Sequence, residues 1–344
     1  MFRFKPKTTS TPPSSEPAAA ASVASSTGTT DTAEQLLRRL EWSVIRRLDG
    51  LRQGDYRTLM RGAGLDLADL REYSPPDDVR HIDWNVTARL QVPHVRVFTE
   101  DRAMDTWLVL DLSPSMDFGS GERTKRAVAT EFVAVLARLL TRHGNRVGAF
   151  LHDGHGTHPS GVDTVVPAKA SRTHVLQLLH TMRHRPAPTG PGQTRLRDLL
   201  QAVAGQLRRR SMVLVVSDFY SDSGWQTPLG QLAQRHEVIA VRLLDPLEQA
   251  LPDLGLLPVR DAETGEVLLV DTHNAGFRRR FAEAAAARET SLRTGLARAG
   301  VDTLELSTAD PMLDALLRFM DMRRRRVRTG TATRGSTTLH KAAA

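Results

Sequence analysis

The sequence predicts an α/β protein built around a doubly wound, mostly parallel, Rossmann-like sheet. Between residues 104 and 322, short apolar segments alternate with longer amphipathic ones, which is typical of strands and helices in a parallel sheet. Two of the short segments, residues 106–110 and 212–216, are almost entirely apolar, as expected for strands that are buried on both faces. We therefore expect one main domain over residues 104–322.

The elements of this domain are predicted from hydrophobic periodicity. Strands are expected at residues 106–110, 146–151, 164–166, 212–216, 238–243 and 303–306. Helices are expected at residues 123–142, 172–182, 196–207, 225–235, 276–299 and 311–322. In addition, residues 258–271 predict a β-hairpin that turns around Glu263 and Gly265. The hairpin is an insertion into an otherwise regular alternation.

Residues 33–103 predict a small helix and strand module ahead of the main domain. Leucine and valine residues recur at helical spacing over residues 33–51, with charged residues between them, so an amphipathic helix is expected there. From residue 55 to residue 100 the pattern is irregular and is punctuated by Gly and Pro. A short strand at residues 95–99 is expected to lead into the main domain.

Both ends of the chain are predicted to be disordered. Residues 1–32 are rich in Ser, Thr, Pro and Ala and have too few large apolar side chains to form a core. Residues 323–344 begin with four arginines and supply much of the formal net charge of +8. Such a tail can bind nucleic acid phosphates nonspecifically, but a solvated terminus is the favoured explanation because no nucleic-acid readout motif is present.

The composition favours a globular protein of the cytoplasm. Of the 344 residues, 40% are hydrophobic and 25% are charged, which is ordinary for a globular domain. No apolar stretch is long enough to cross a bilayer, and the basic N-terminus is not followed by the apolar region of a signal peptide, so no membrane contact is expected. The absence of Cys excludes disulfides and thiolate metal sites.

Polar side chains follow two of the buried strands. Asp111, Ser113 and Ser115 come directly after the first, and Asp218 follows the strand at residues 212–216. Thr194 lies between them in a Gly-rich loop, and the set forms one oxygen-rich site if the two strands are neighbours. Hard oxygen donors suit Mg²⁺, Mn²⁺ or Ca²⁺. The alternative is that these residues only form turns and cap the following helices.

This ordered set resembles the metal-ion-dependent adhesion site of von Willebrand factor type A (VWA) domains. The resemblance implies that Ser113, Ser115 and Thr194 bind the metal directly or nearly so. It also implies that Asp111 and Asp218 act partly through water, and that an Asp or Glu of a partner protein completes the coordination.

Residues 71–89 resemble the signature of the bacterial family called domain of unknown function 58, in which this signature precedes a VWA domain. The residues that carry the resemblance, and that form a possible interface, are Tyr73, Asp78, Arg80, Asp83, Trp84 and Arg89. The family pattern usually has Gly where Pro76 stands, a difference that leaves the metal ligands in place. Paired Asp and Arg residues here also fit an internal ion-pair and hydrogen-bond network without a binding role.

The resemblance implies a non-enzymatic adaptor that binds a partner through Mg²⁺. Members of the family are typically paired with a MoxR-type AAA+ ATPase in chaperone-like assembly or maturation of other complexes, so such an ATPase and a client protein are the expected partners. The alternative is a metal-dependent hydrolase of phosphoester or amide bonds. Against it, no general base is evident, and the common nucleotide-binding and hydrolase motifs are absent.

Three histidines could instead form a zinc site. His152, His155 and His158 are spaced three apart in a segment that contains Gly and Pro. Such a segment predicts a loop, and surface histidines are the favoured interpretation.

Overall fold

The computed structural model contains eleven strands and eight α-helices within the residues that it describes. It describes residues 2–4, 33–45, 69–74, 79, 82–97, 105–152, 161–184, 195–221, 223–261 and 266–329. The strands are β1 Phe2–Phe4, β2 Asp69–Glu72, β3 His94–Val97, β4 Thr106–Asp111, β5 Val147–His152, β6 Thr164–Lys169, β7 Met212–Ser217, β8 Glu237–Leu244, β9 Leu256–Asp261, β10 Val267–Asp271 and β11 Asp302–Ser307. The helices are α1 Ala33–Leu40, α2 Trp84–Leu90, α3 Lys125–Arg142, α4 Arg172–Arg183, α5 Leu196–Gln206, α6 Gln226–Arg235, α7 Ala275–Ala299 and α8 Met312–Thr329.

Six strands form the central sheet in the order β11-β8-β7-β4-β5-β6. Neighbouring strands are parallel except for the edge strand β6, which is antiparallel to β5. The mixed α/β fold with a mostly parallel sheet is therefore as predicted. The strand order reverses between β4 and β7, because β5 and β6 lie on one side of β4, whereas β7, β8 and β11 lie on the other. Ligands of open α/β sheets bind at such a reversal, beyond the carboxyl ends of the strands.

Helices cover both faces of this sheet. On one face, Leu108 and Leu110 of β4 belong to a buried cluster that includes residues of α1, α3, α4 and α8. On the other face, Val109 lies in a second cluster with residues of α5, α6 and α7. Successive residues of a strand point to opposite faces, so an entirely apolar strand supplies both cores. Each fully buried Val or Leu side chain contributes about 1.5–3 kcal/mol.

The predicted hairpin is present as β9 and β10, which pair antiparallel. Strand β1 pairs with the other edge of β9, so the hairpin belongs to a three-stranded sheet. Disorder was predicted for residues 1–32, and this is wrong for Phe2–Phe4, where two Phe residues favour a strand. The rest of that arm lies outside the described residues, as does the hairpin turn.

One further prediction is confirmed and another needs correction. The strand predicted at residues 95–99 is β3, and it pairs with β2 in a separate two-stranded sheet. The basic tail predicted from residue 323 is helical as far as Thr329, because Arg323 is 7% exposed and forms ion pairs with Glu237 and Asp302. Residues 330–344 lie outside the described residues.

In the part of the chain that the structure describes, no helix is both long and apolar enough to cross a membrane.

Candidate functional site

Strand β4 ends at Asp111, and the chain then folds tightly. The Asp111 carboxylate accepts a hydrogen bond from the Ser113 amide at 3.0 Å through Oδ1. A 3₁₀ turn, Pro114–Asp117, follows and brings the Ser115 hydroxyl to 3.1 Å from the Ser113 hydroxyl. The side chains of Asp111, Ser113 and Ser115 are all buried. Local hydrogen bonding therefore gathers one carboxylate and two hydroxyls beyond the end of β4.

Asp218 reaches the same place from the adjacent strand, because β4 and β7 are hydrogen-bonded neighbours. The Ser217 hydroxyl donates to Asp111 Oδ2 at 2.6 Å and joins the two strand ends directly. The next residue, Phe219, has a φ of 58°, a left-handed conformation that turns the chain, and Asp218 Oδ1 accepts a hydrogen bond from the Tyr220 amide at 3.0 Å. Asp111 and Asp218 thus form turns, and neither is the N-cap of a described α-helix.

The sequence analysis missed Lys125, together with its partner Glu248 and the Ser217 hydroxyl. The ammonium of Lys125 is fully buried and donates to Asp218 Oδ2 at 2.6 Å and to Glu248 Oε1 at 2.7 Å. The loop before α3 returns Lys125 to the strand ends, and the Lys125 amide donates to the Phe118 carbonyl at 2.9 Å. A Cβ at Gly119 would lie 2.3 Å from the Arg123 carbonyl oxygen, so this loop requires glycine.

His152 is also buried at the site, where a surface position was favoured. It ends β5 opposite Asp111 in the strand register and is 2% exposed. Its ring nitrogen Nδ1 lies 3.7 Å from Asp163, and neither ring nitrogen has a hydrogen-bond partner among the described residues. The surface interpretation is therefore wrong for His152, because the apolar strand β5 extends through this residue. His155 and His158 lie outside the described residues.

The crowding of buried charges alters the acidity of the carboxyl groups. Burial first, and then the negative charge of Asp218, raise the pKa of Asp111, while His152 and two hydrogen bonds oppose the shift. Burial also raises the pKa of Glu248 to about 7, although the ammonium of Lys125 acts in the opposite direction. Burial would lower the pKa of Lys125, but Asp218 and Glu248 together raise it, so Lys125 remains charged.

The candidate donors fit a small, hard cation. Two adjacent oxygen ligands of octahedral Mg²⁺, each about 2.0–2.1 Å from the ion, lie about 3 Å apart. The hydroxyls of Ser113 and Ser115 have this separation. Among the described residues no cluster of three or more His, Asp and Glu side chains could hold a metal, and the candidate donor set combines hydroxyls with carboxylates. Thr194, the fifth predicted ligand, lies outside the described residues.

The signature residues lie in the module formed by β2, β3 and α2. Tyr73 donates its amide to the Pro93 carbonyl at 2.8 Å, and Asp83 is the N-cap of α2, accepting from the Asn85 and Val86 amides. Trp84 is 70% exposed, and Arg89 is also exposed. Trp84 is therefore on the surface and not inside an internal network. Asp78 and Arg80 lie outside the described residues.

The open, mostly parallel sheet with a polar cluster at its strand reversal is that of an α/β protein with a Rossmann-like fold. Sequence comparison identifies the family. The model of the family "Protein of unknown function DUF58" matches residues 69–291, and the chain belongs to this family. It is 38% identical over 289 residues to uncharacterized protein Rv1480 of Mycobacterium tuberculosis, an alignment that covers 84% of this chain and 89% of the relative. Uncharacterized protein Mb1516 of Mycobacterium bovis matches equally well.

Similar solved structures are more distant. BatB from Bacteroides thetaiotaomicron, a conserved hypothetical protein, has a TM-score of 0.40 and 13% identity, over 64% of this chain and 99% of that one. The pilus adhesin SpaC from Lactobacillus rhamnosus GG, in its open conformation, has a TM-score of 0.38 and 11% identity, over 67% of this chain and 30% of that one.

Proposed function

We propose that residues 104–322 form a VWA domain that binds Mg²⁺ and, through it, a carboxylate of a partner protein. The observation that supports the proposal most is the pair of buried hydroxyls, Ser113 and Ser115, at the spacing of adjacent magnesium ligands and next to two aspartates. A cation held largely by neutral hydroxyls keeps a strong affinity for a further anionic ligand. An Asp or Glu of the partner supplies that ligand.

The residues divide into two groups in this proposal. Ser113, Ser115 and Thr194 bind the ion directly. Asp111 and Asp218 act through water, in agreement with the hydrogen bonds that already engage both oxygens of each carboxylate. Mn²⁺ or Ca²⁺ can replace Mg²⁺, because both also prefer oxygen ligands.

The chain acts in this proposal as an adaptor and not as an enzyme. In this proposal a MoxR-type AAA+ ATPase, the partner that the family resemblance implies, supplies the energy, and the adaptor holds a client during assembly or maturation. The module over residues 33–103, with the exposed side chains of Trp84 and Arg89, offers a second contact surface for one of these partners.

A pull-down from a lysate of the source organism tests this function. The wild type, Asp111→Ala and the double variant Ser113→Ala/Ser115→Ala would each be used with Mg²⁺ and with EDTA, and circular dichroism would establish that each is folded. We expect an AAA+ ATPase or a client to be retained only by the wild type with Mg²⁺. The double variant matters because Asp111→Ala also removes structural hydrogen bonds.

Ser120→Ala is the matched control, since it removes an exposed hydroxyl from the following loop and leaves the site unchanged. It should retain the same partners as the wild type. Retention of one set of partners in every sample, with or without Mg²⁺, would contradict the metal-mediated mechanism.

A further inference from the structure

A cavity of about 770 Å³ lies beside the candidate metal site. It is bounded by the residues that follow β7, by the hairpin of β9 and β10, and by one face of α7. This volume is typical of pockets that enclose a small molecule or a few side chains of a bound peptide. The cavity is therefore large enough to recognise a specific segment of a partner.

The lining of the cavity is mostly apolar and aromatic. Phe118, Trp225, Phe277 and Phe281 contribute rings, and Leu268 contributes an aliphatic side chain from β10. Leu268 is 53% exposed, so the apolar wall continues to the protein surface. An apolar surface that extends from a cavity to solvent is characteristic of a binding site. The volume and the apolar lining of the cavity fit an aromatic or large aliphatic side chain.

Two arginines of α7 and the acidic residue Glu248 are the charged groups in the lining of the cavity. Arg280 and Arg288 line the cavity and are exposed, and neither forms an ion pair among the described residues. Other arginines of the same helix do form ion pairs, for example Arg278 with Asp253 at 3.1 Å and Arg293 with Glu289 at 2.6 Å. Because Glu248 is already paired with Lys125, the two exposed arginines are complementary to an anion that accompanies an apolar group.

The cavity and the candidate metal site share a wall. The rings of Tyr220 and Phe118 line the cavity, and their centres lie 5.5 Å and 6.0 Å from the ammonium of Lys125. The same ammonium donates to Asp218. A partner segment that enters the cavity therefore lies next to the Lys125–Asp218 pair.

We infer that the cavity binds a protein segment in which an apolar side chain, preferably aromatic, stands next to Asp or Glu. The apolar side chain fills the cavity beside Leu268, and the acidic side chain pairs with Arg280 and Arg288. This inference rests on the proposed function, which makes the partner a protein. It adds which side chains of that partner the cavity recognises.

Selection from a random peptide library displayed on phage tests the inference with the full-length protein. We expect enrichment of peptides that combine an aromatic or aliphatic residue with a neighbouring acidic one. The variant Leu268→Asp and the double variant Arg280→Gln/Arg288→Gln should each bind the selected peptides at least about tenfold more weakly.

Matched variants control for general effects of the substitutions. Leu269→Asp changes the next residue of β10, which is 69% exposed and does not line the cavity. Arg279→Gln/Arg298→Gln removes two arginines of α7 that also lie away from the cavity. Both controls should bind the selected peptides within about twofold of the wild type, because surface changes outside a contact have small effects.

The selection also separates this inference from the metal mechanism. Peptides that bind equally well in EDTA but depend on Leu268 and the two arginines would support the cavity, and the pull-down alone would then decide the role of Mg²⁺. Peptides that require Mg²⁺ but bind all the cavity variants normally would overturn the inference and leave the proposed function standing. Failure to enrich any apolar and acidic consensus also overturns it.

Discussion

Lys125 links elements that are far apart in the sequence. It is the first residue of α3, where a Lys is unremarkable, and the Glu248 with which it pairs lies 123 residues further along the chain. Hydrophobic periodicity cannot reveal such a pairing, since it depends on the positions of β7 and β8 in the sheet. Asp111 and Asp218 could be predicted as site residues because each directly follows a recognisable buried strand. The same position at a strand end was a usable signal for His152.

We expect Lys125→Met to destabilise the protein by about 3–5 kcal/mol, because it leaves two buried carboxylates without their cation. Met has a similar length, so the loss of packing is small. Urea unfolding in EDTA measures the free energy of unfolding. Lys169→Met, at an exposed position of β6, is the control and should change that free energy by less than about 0.5 kcal/mol. Equal stability of the two variants would show that the ammonium does not hold the strand ends together.

At the level of elements, the sequence predicted every strand and α-helix that the structure describes in the main domain, but not its two 3₁₀ helices. Apolar alternation and helical spacing are strong signals in segments that are buried by tertiary packing. The prediction of secondary structure was weaker in segments where polar side chains determine the structure. Helix α2 was not predicted, because its start depends on the Asp83 cap and none of its residues is buried. Strand β3 was recognised, but its pairing with β2 was not.

The C-terminal end of α8 illustrates how a charged run can be structural. Four consecutive arginines predict a solvated tail, yet Arg323 is directed at acidic residues near the starts of β8 and β11. We expect Arg323→Gln to destabilise the protein by about 1.5–3 kcal/mol, since Glu237 and Asp302, which are themselves partly exposed, lose a charged hydrogen-bond partner. Arg325→Gln, which removes an exposed pair with Asp321, should cost less than about 1 kcal/mol. Thermal unfolding of both variants by circular dichroism gives the comparison, and similar melting temperatures would argue against the structural role.

At the level of the whole molecule, the topology gathers the candidate metal site, the Lys125 cluster and the apolar cavity at one end of the sheet. Parallel strands all end at the same edge, so polar residues from β4, β5 and β7 converge there. The sequence predicted that the polar residues after β4 and β7 lie together if these two strands are neighbours in the sheet. It could not predict the cavity, because the walls are contributed by β10, α7 and the turn after β7, whose relative positions depend on long-range packing.

If the strand ends bind Mg²⁺ in the folded state only, the ion must stabilise the whole domain. A concentration of Mg²⁺ about 100 times the dissociation constant should raise the free energy of unfolding by about 2.7 kcal/mol. Urea unfolding over a series of Mg²⁺ concentrations measures this increase. The increase should be lost in Ser113→Ala/Ser115→Ala, which lacks two of the ligands, and retained in Ser120→Ala. An equal increase in all three proteins would indicate a general effect of divalent cations on the surface, since a specific site cannot survive the removal of both hydroxyls.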